Sequence, residues 1–346
     1  MPSPPDVSVL IVNYNGGAFV QGALDSLKRQ TYRDFEVILV DNASTDGSAD
    51  SLDTAGLPAF TLMKETENHG FARGNNLAAA EAKGLWLALL NPDAAAQPNW
   101  LEEVSNGIKR WDGVETFACK QVWMQDAGIL DGVGDNYLIF GIPWRGGYRQ
   151  PVEATPEEGN CFSACGASAI YRRATFWAVG GFDEQLFCYC EDVDLGFRFQ
   201  LEGLKCVFLP TAVVAHQGSG ISSQQSGFAV KYGTRNRLWV YLKCMPLPLL
   251  FLTLPGHVAL TLAILARGTM TGKFRPAFAG LVEGIVGIRS VWQQRQLVQV
   301  FRNTSLWALA RSMVWNPLKM LNRQSAVTSQ LAPSEKIART PKKRAG

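Results

Sequence analysis

Short apolar runs early in the chain predict buried β-strands. Continuous runs rich in Val, Ile and Leu are typical of strands that are covered on both faces of a parallel sheet. The runs cover residues 7–12, 35–40 and 85–90. Apolar positions at helical spacing over residues 19–27, and a further predicted helix near residues 76–82, lie between them. This alternation predicts an α/β doubly wound sheet with its ligand site at the carboxyl ends of the strands.

The pattern is less regular further along. Residues 41–48 are rich in turn and capping residues, and a short helix is expected to follow them. Residues 110–165 show no clear period, so no elements are predicted there. A helix with an apolar stripe over residues 193–201 should end at Gly203. A strand is predicted at residues 205–210.

The chain changes character after Tyr232. Residues 244–266 form a run of 23 positions without a formal charge, which is long enough to cross a bilayer. Prolines and a glycine interrupt this run, and we therefore favour an interfacial or re-entrant hairpin over a continuous spanning helix. Residues 276–301 have the periodicity of one amphipathic helix. Packing of both segments on the preceding domain is the alternative.

Charge divides the chain near the same place. Residues 1–228 carry 15 Lys/Arg and 28 Asp/Glu, and residues 229–346 carry 18 Lys/Arg and two acids, for a net charge of +3 overall. A basic, apolar segment suits an anionic surface, either membrane headgroups or nucleic acid. We predict a sheet domain over residues 1–228, a helical membrane-associating region over 229–310, and a basic, partly disordered tail over 311–346.

The N-terminus and the cysteines favour a cytoplasmic protein. The first residues lack the basic region of a secretory signal peptide. The seven cysteines are odd in number and irregularly spaced, which fits reduced thiols better than a disulfide framework. A zinc site is the less favoured reading of four of them, Cys161, Cys165, Cys188 and Cys190.

Polar and acidic residues follow each predicted strand. Asn13 and Asn15 follow the first strand, Asp41 the second, and Asn91 and Asp93 the third. Sheet topology would bring these strand ends to one edge. A single acid there is often only a helix cap, but three such positions favour a shared ligand site.

A second acidic group lies later in the chain. Glu191, Asp192 and Asp194 fall within four positions, where like charges raise one another's pKa unless a cation or a proton-transfer role offsets them. His216 follows the last predicted strand in a loop of small residues, where a lone histidine usually has no special function.

Six motifs occur in order along the chain: VSVLIVNYNG, VILVDNASTDGS, NHGFARGNN, LLNPDA, GGFDEQLFCYCEDVDLGFR and AHQGSG. This set resembles the inverting glycosyltransferases of family 2, which have the GT-A fold. Within that family it is most similar to bacterial rhamnosyltransferase-type enzymes that build surface polysaccharide. The resemblance covers residues 6–240 and implies a GT-A-type mixed sheet, here followed by a C-terminal helical appendage.

The resemblance implies roles for individual residues. The donor would be bound by Asn13 and Asn15 at the nucleotide, Asp41 at the base, Arg73 and Asn75 near ribose and diphosphate, and Asn91. Asp93 and His216 would bind Mg²⁺ or Mn²⁺ at the diphosphate. Asn91 stands where the family's Asp-x-Asp motif has its first aspartate, which removes one charge. Of the catalytic acid pair Glu191 and Asp192, Asp192 would accept the proton of the acceptor hydroxyl.

These roles imply a sugar transfer from a nucleoside diphosphate to a hydroxyl at the cytoplasmic face of the bacterial inner membrane. The best single donor is dTDP-rhamnose, with UDP- and GDP-sugars open, and the expected acceptor is a polyprenyl-diphosphate-linked saccharide. Nucleic acid is not an expected partner. Lys231, Arg235 and Arg237 could contact the diphosphate or an anionic lipid, or lie on a solvated helix face. A non-catalytic nucleotide- or glycan-binding module is the competing class.

Overall fold

One mixed sheet forms the centre of the molecule. This computed structural model describes residues 4–218 and 226–329. Its strands are β1 (Val7–Asn13), β2 (Phe35–Asp41), β3 (Phe60–Lys64), β4 (Trp86–Leu89), β5 (Ala94–Ala96), β6 (Thr116–Trp123), β7 (Asp126–Gly132), β8 (Asp135–Leu138), β9 (Ile142–Arg145), β10 (Gly159–Cys161), β11 (Ala169–Arg172), β12 (Cys206–His216) and β13 (Thr328–Ser329). The sheet order is β13-β10-β12-β6-β11-β4-β1-β2-β3, with β5 also on β12 and β7 on β6. β8 and β9 form a separate hairpin.

Helices cover both faces of this sheet and then continue beyond it. They are α1 (Phe19–Lys28), α2 (Gly70–Glu81), α3 (Trp100–Arg110), α4 (Arg173–Ala178), α5 (Glu191–Glu202), α6 (Gly227–Cys244), α7 (Leu247–Thr271), α8 (Phe274–Val286), α9 (Ile288–Val300), α10 (Leu306–Ser312) and α11 (Pro317–Leu321). Val9 and Ile11 of β1 face one core with α1 and α3, whereas Leu10 faces the other with α2 and α5. Successive strand residues point to opposite faces of the sheet, so a continuous apolar run needs an apolar layer packed against each face.

Parallel pairing places two of the strand-end residues side by side. β3, β2, β1 and β4 are parallel neighbours, and Asn13 at the end of β1 is in register with Asp41 at the end of β2. The three predicted early strands and the doubly wound mixed sheet are confirmed. β12 is longer than predicted and ends at His216, so this histidine closes a strand instead of lying in a loop.

One local prediction near the first strands is wrong, and another gives a helix that is too short. Residues 42–59 form turns and contain no helix. Side chains occupy the backbone donors there, as when Asn15 Oδ1 accepts the N–H of Thr45 at 2.8 Å. The helix predicted just before β4 begins several residues earlier, at Gly70, directly after a turn in which Asn68 Oδ1 accepts the Gly70 N–H at 2.9 Å.

The apolar segment after residue 244 is one continuous helix, so the break predicted at its prolines is wrong. Pro246 precedes α7 and Pro248 lies in its first turn, where a missing N–H costs little. Pro255 lies inside the helix without ending it. Within the described residues α7 alone is long and apolar enough to cross a membrane, and 28% of its most apolar window is buried.

The amphipathic segment 276–301 forms two helices, α8 and α9, where one was predicted. The break lies at Gly287. Trp239 of α6 approaches this glycine so closely that an added Cβ would lie 2.4 Å from the indole Cζ2. A glycine permits the contact, and it also weakens the helix at that point.

The C-terminal segment returns to the sheet. β13 pairs antiparallel with β10 at the sheet edge. A third apolar core joins the two halves of the chain, since Val193 and Phe197 of α5 pack with Val240 and Tyr241 of α6. Of the tail predicted over residues 311–346, the part up to residue 329 includes α11 and β13, and residues 330–346 lie outside the described residues.

Candidate active site

A cavity of about 900 Å³ lies at the carboxyl ends of the parallel strands. Residues just after β1, β2 and β4 line it, together with the start of α5 and the end of β12. Six of the ten predicted site residues contribute to its wall, namely Asn15, Asn91, Asp93, Glu191, Asp192 and His216. The cavity therefore brings together side chains that are distant in the sequence, including the predicted base and both predicted metal ligands.

Asn13 and Asp41 lie behind the cavity and not in its wall. Asn13 Nδ2 donates to Asp41 Oδ1 at 2.8 Å and is 3.1 and 2.9 Å from the hydroxyls of Ser44 and Ser48. Its Oδ1 accepts the N–H of Gly16 at 3.1 Å. These bonds fasten the turn after β2 to the turn after β1. Both residues therefore shape the cavity wall indirectly.

Arg73 and Asn75 lie on α2 and do not line the cavity. Arg73 is half exposed, and its guanidinium is 3.8 Å from Glu184. Asn75 is buried and donates to the carbonyl of Phe71 within the same helix at 2.9 Å. Their placement gives no support to the predicted contacts with ribose and diphosphate. The guanidinium that does line the cavity is that of Arg145.

Asp93 and His216 face each other in the cavity wall. Asp93 Oδ1 is 3.3 Å from His216 Nε2, and Asn91 Nδ2 is 3.4 Å from the same nitrogen. On the other side of the ring, Asp131 Oδ2 is 2.7 Å from His216 Nδ1, and Arg145 pairs with Asp131. Burial lowers the pKa of His216, but its hydrogen bonds with Asp131 and Asp93 outweigh this effect and raise the pKa.

These side chains suit a divalent cation. A carboxylate oxygen and an imidazole nitrogen are both ligands of Mn²⁺, and Mg²⁺ accepts the carboxylate with substrate oxygens and water. The carboxylate of Asp131 at Nδ1 is the partner that metal-binding histidines usually have, because it fixes the ring with Nε2 toward the ion. The pair Asp93 and His216 leaves coordination positions for diphosphate oxygens.

Glu191 and Asp192 form the first turn of α5 at the cavity. Asp192 Oδ2 accepts the N–H of Gly166 at 2.8 Å, and burial raises its pKa although this backbone donor opposes the shift. Glu191 is more deeply buried, and among the described residues its Oε2 has no hydrogen-bond partner. Burial, and then the charge of Asp192, raise the pKa of Glu191 well above its ordinary value. The site therefore favours a neutral Glu191 beside an ionisable Asp192.

A strained loop leads into this acid pair. The φ angles of Phe187, Tyr189 and Cys190 are 63°, 72° and 66°, in the left-handed region that residues other than glycine rarely adopt. Asn236 of α6 is fully buried beneath the loop. Its Nδ2 lies 2.7–2.9 Å from three loop carbonyl oxygens, those of Leu186, Cys188 and Tyr189. Hydrogen bonds from α6 thus hold the loop in its strained form.

Asp194, the third acid of the predicted cluster, is a structural ion-pair partner. Lys243 Nζ of α6 is 2.7 Å from Asp194 Oδ1 and also pairs with Asp183. Arg198 Nη2 is 2.9 Å from Asp194 Oδ2. Burial would raise the pKa of Asp194, but the two cations outweigh it and lower the pKa. This buried network ties α6 to α5, the helix that carries the predicted catalytic acids.

Asp135, Cys165 and Asp192 form a second group of possible ligand atoms, all within 4.8 Å of one another. Burial raises the pKa of the Cys165 thiol to about 12, so the sulfur keeps its proton near neutral pH and binds metal poorly. Mg²⁺ and Mn²⁺ also prefer oxygen ligands to sulfur. The cysteines considered for zinc form no such group with one another in the part of the chain described.

The cations at the start of α6 have partners outside the cavity. Lys231 and Arg235 pair with Glu283 of α8. Arg237 is buried, and its Nη2 donates to Thr261 Oγ1 at 2.9 Å. None of the three lines the cavity. Their placement gives no support to a contact with the donor diphosphate.

Sequence reasoning missed Asp131, Asp135, Arg145 and Asn236. The first three belong to the segment without a clear apolar period, and Asn236 lies in a helix that was interpreted only by its charge. A signal existed for the two acids, because they interrupt an otherwise apolar stretch over residues 129–139. Acids in such surroundings are buried and therefore need a cation or a proton.

Comparison with known proteins identifies the class that this fold and cavity define. Residues 8–180 match the family described as Glycosyl transferase family 2. That stretch is half of the chain, and the protein belongs to this family.

Individual relatives agree with this assignment. N-acetylglucosaminyl-diphospho-decaprenol L-rhamnosyltransferase of Mycobacterium tuberculosis is 29% identical over 232 residues, which are 60% of this chain and 75% of the relative. S. aureus TarS 1-349 in complex with UDP-GlcNAc superimposes with a TM-score of 0.56 at 15% identity and 92% coverage of both chains. Mannosyltransferase PcManGT from Pyrobaculum calidifontis in complex with GDP-Man and Mn²⁺ gives 0.51 at 20% identity, covering 91% of this chain and 89% of that one. The two structures show a shared GT-A-type fold.

Proposed function

We propose that this glycosyltransferase moves a sugar from a nucleoside diphosphate to an acceptor hydroxyl with inversion. The observation that carries the proposal is the meeting of Asp93, His216 and Asp192 in one cavity. Such a transfer needs a base at the acceptor and stabilisation of the charge that develops on the leaving diphosphate. The cavity has candidates for both tasks.

Asp192 is the proposed general base. The Gly166 N–H holds its Oδ2, which fixes the orientation of the carboxylate. As the acceptor oxygen attacks the anomeric carbon, the bond to the diphosphate breaks on the opposite face of the sugar, and the hydroxyl proton moves to Asp192. The raised pKa of Asp192 makes it a better proton acceptor while it is ionised. Burial and the charge of Asp192 raise the pKa of Glu191, which favours its neutral form as a hydrogen-bond donor and leaves Asp192 as the proposed acceptor of the proton.

Asp93 and His216 are the proposed ligands of Mg²⁺ or Mn²⁺. When bound there, such an ion would neutralise charge on the donor diphosphate. Asp131 and Arg145 hold the imidazole in place from behind. Asn91 beside His216 would add a neutral polar contact, consistent with the missing first aspartate of the family motif.

The proposed reaction transfers rhamnose from dTDP-rhamnose to a polyprenyl-diphosphate-linked saccharide during surface polysaccharide synthesis. Support comes from the mycobacterial relative, whose name specifies rhamnosyl transfer to a decaprenol-linked sugar. Tyr14, Phe187 and Tyr189 line the cavity and offer aromatic faces for a base or a sugar ring. UDP- and GDP-sugars are the alternative donors.

We further propose that α7, α8 and α9 form a membrane-facing surface at the cytoplasmic side of the inner membrane. Monomeric soluble proteins rarely expose large apolar patches. The exposed apolar side chains of these helices include Phe251, Leu252, Val258, Leu262, Met270, Phe278, Val282, Ile285, Val286, Trp292, Leu297 and Val300. Arg267, Arg275 and Arg289 are exposed among them, which suits anionic headgroups.

A transfer assay tests the proposal. The protein would be incubated with Mn²⁺, a polyprenyl-diphosphate N-acetylglucosamine acceptor and each nucleotide sugar in turn, and products identified by mass spectrometry and by the anomeric configuration of the new linkage. An inverted rhamnosyl product is the expected result. Product from another nucleotide sugar would support the proposed transfer reaction and show that the donor is not dTDP-rhamnose. Nucleotide binding without product from any donor would instead support the non-catalytic binding module.

A further inference from the structure

A second cavity, of about 780 Å³, lies between the sheet edge and the C-terminal segment. Its wall is built from the end of α5, from β10 and β13, and from α10 and α11. It shares no lining residue with the first cavity. The proposed transfer reaction gives this space no role.

The charged residues in its wall are all basic. Lys205, Arg311 and Lys319 line the cavity, and no Asp or Glu does. None of the three has a carboxylate oxygen within 4.0 Å of its charged nitrogen atoms among residues 4–218 and 226–329. All three side chains are exposed at the open side of the cavity. Three cations at the mouth of one cavity whose wall has no acid favour an anion as its occupant.

A buried amide in the wall also lacks a partner. Asn136 is only 3% exposed, and its Nδ2 donates to no group in the described part of the chain. Its Oδ1 is occupied, because it accepts the N–H of Ala326 at 3.0 Å. The orientation of the amide is thereby fixed, and the free donor is left without an acceptor. A buried donor of this kind is costly unless a ligand or water oxygen accepts its hydrogen bond.

The helices that border the cavity carry the side chains expected at a membrane surface. Trp307, Trp315, Leu318 and Leu321 of α10 and its neighbours are exposed. The guanidinium of Arg311 lies 5.2 Å from the ring centre of Trp307. Tryptophan is enriched at the headgroup level of bilayers, and arginine and lysine near that level attract anionic lipids.

We propose that this second cavity binds the phosphate headgroup of an anionic phospholipid. Lys205, Arg311 and Lys319 neutralise the phosphate, Asn136 Nδ2 donates to one of its oxygens, and the exposed tryptophans rest among the neighbouring lipids. The inference rests on the proposed membrane association, and it adds a discrete, saturable lipid site to the apolar surface of α7–α9.

A soluble short-chain lipid tests the site directly. Dihexanoyl phosphatidylglycerol, below its micelle concentration, would be titrated into the full chain by calorimetry. One equivalent is expected to bind, while dihexanoyl phosphatidylcholine and inorganic phosphate bind much more weakly. The variant Lys205→Ala/Arg311→Ala/Lys319→Ala is expected to bind roughly 10²-fold more weakly, since each cation near a lipid surface contributes about fivefold.

Two further variants separate a site from general charge attraction. Arg267→Ala/Arg275→Ala/Arg289→Ala removes the same charge from the membrane-facing surface and should bind the short lipid as the wild type does. Asn136→Asp retains the acceptor for Ala326 but places a carboxylate in the cavity, and it should abolish binding while the melting temperature confirms folding. Equal losses in both triple variants, wild-type affinity in the cavity triple, or equal affinity for inorganic phosphate would overturn the proposal.

Flotation with phosphatidylcholine vesicles tests the membrane association itself. The apolar surface of α7–α9 should bring the wild type and all variants to the vesicles. Absence of flotation, with the short lipid still bound, would refute the membrane-facing surface and leave the headgroup site standing. Flotation of the wild type without binding of the short lipid would support the membrane-facing surface and refute the headgroup site.

Discussion

Replacement of Asp192 by Asn removes the proposed base with little change in shape. Asparagine is nearly isosteric with aspartate, and its Oδ1 can accept the Gly166 N–H that Asp192 Oδ2 now accepts at 2.8 Å. The side chain should therefore keep its orientation in the first turn of α5. The amide nitrogen of the variant replaces the oxygen that now accepts the Val193 N–H at 2.8 Å, and it can neither accept that bond nor take a proton. Unchanged donor affinity and melting temperature are therefore needed to attribute a fall in rate to chemistry.

The expected loss follows from that role. A general base typically contributes about 10²–10⁴-fold to the rate, or about 2.7–5.4 kcal/mol of transition-state stabilisation. Glu191→Gln is the matched control one position away. Burial favours the neutral form of Glu191, so the amide of Glu191→Gln should lower the transfer rate by less than about tenfold. That factor is the scale of one hydrogen bond.

The pH dependence of turnover tests the role of Asp192 independently. Burial raises the pKa of Asp192, and the base works only when it is ionised. Turnover of the wild type should therefore rise as the pH increases through a value above the ordinary aspartate pKa of about 3.9. The part of the acidic limb that is due to Asp192 should be missing from Asp192→Asn, since asparagine does not titrate, whereas the part due to deprotonation of the proposed metal ligand His216 should remain in both proteins.

Steady-state transfer with saturating donor, combined with calorimetric titration of the donor, separates rate from binding. Donor affinity should be nearly unchanged in both variants, because the proposed role of Asp192 is to take the proton of the acceptor hydroxyl and not to bind the donor. Near-normal turnover of Asp192→Asn would refute the assignment. A larger loss in Glu191→Gln than in Asp192→Asn would transfer the role of base to Glu191.

Three other outcomes are expected. EDTA and the variant His216→Ala should each remove most transfer activity. Asp131→Asn should weaken Mn²⁺ activation by about 10–100-fold in a metal titration, since the imidazole loses its orienting partner. Full activity in all three experiments would refute the metal proposal. Asn236→Ala should lower kcat and also weaken donor binding, because the loop that carries Phe187 and Tyr189 and leads into Glu191 and Asp192 loses its hydrogen bonds; unchanged kcat and donor affinity would contradict this. Lys243→Met should lower the free energy of unfolding by about 3 kcal/mol or more in urea titrations, because two buried carboxylates lose their shared cation; an unchanged midpoint would count against the network.

The sheet was predictable because its central strands are covered on both faces. Continuous apolar runs such as β1 and β2 leave no alternative to burial between two helical layers, and parallel connections follow from the helices between them. The late helix α5 was equally clear, because its apolar stripe ends at Gly203, which adopts the left-handed conformation that closes the helix.

The detailed wall of the cavity was harder to predict. Register places Asn13 beside Asp41. Asn13 and Asn15 would share a face if β1 continued, but the strand ends at Asn13 and Asn15 has a φ of 53°, so only the fold determines that Asn15 lines the cavity and Asn13 does not. Asp131 comes from a strand that is exposed at one end and buried at the other, and Asp135 from a wholly buried strand of four residues, so neither strand carries a periodic signal. Their importance depends on partners that the chain brings in from afar, such as His216.

The helical appendage could be located from its charge and apolar content but not described in detail. A proline in the sequence normally ends a helix, yet α7 passes through Pro255. Conversely, the α8–α9 segment shows an unbroken apolar period, and its break at Gly287 results from an indole that packs against it from another helix. In both cases tertiary contacts override the local preference.

The ion pairs of Lys243 mean that the appendage cannot be removed from the enzyme as a separate module. A chain ending at residue 228 would leave Asp183 and Asp194 without their cation, the loop carbonyls beneath the acids without Asn236, and the third core open to water. Deletion should therefore yield an insoluble or inactive fragment. A water-soluble form of the enzyme would have to retain α6 and exchange outward-facing apolar side chains of α7–α9, such as Phe251 and Leu262, for polar ones.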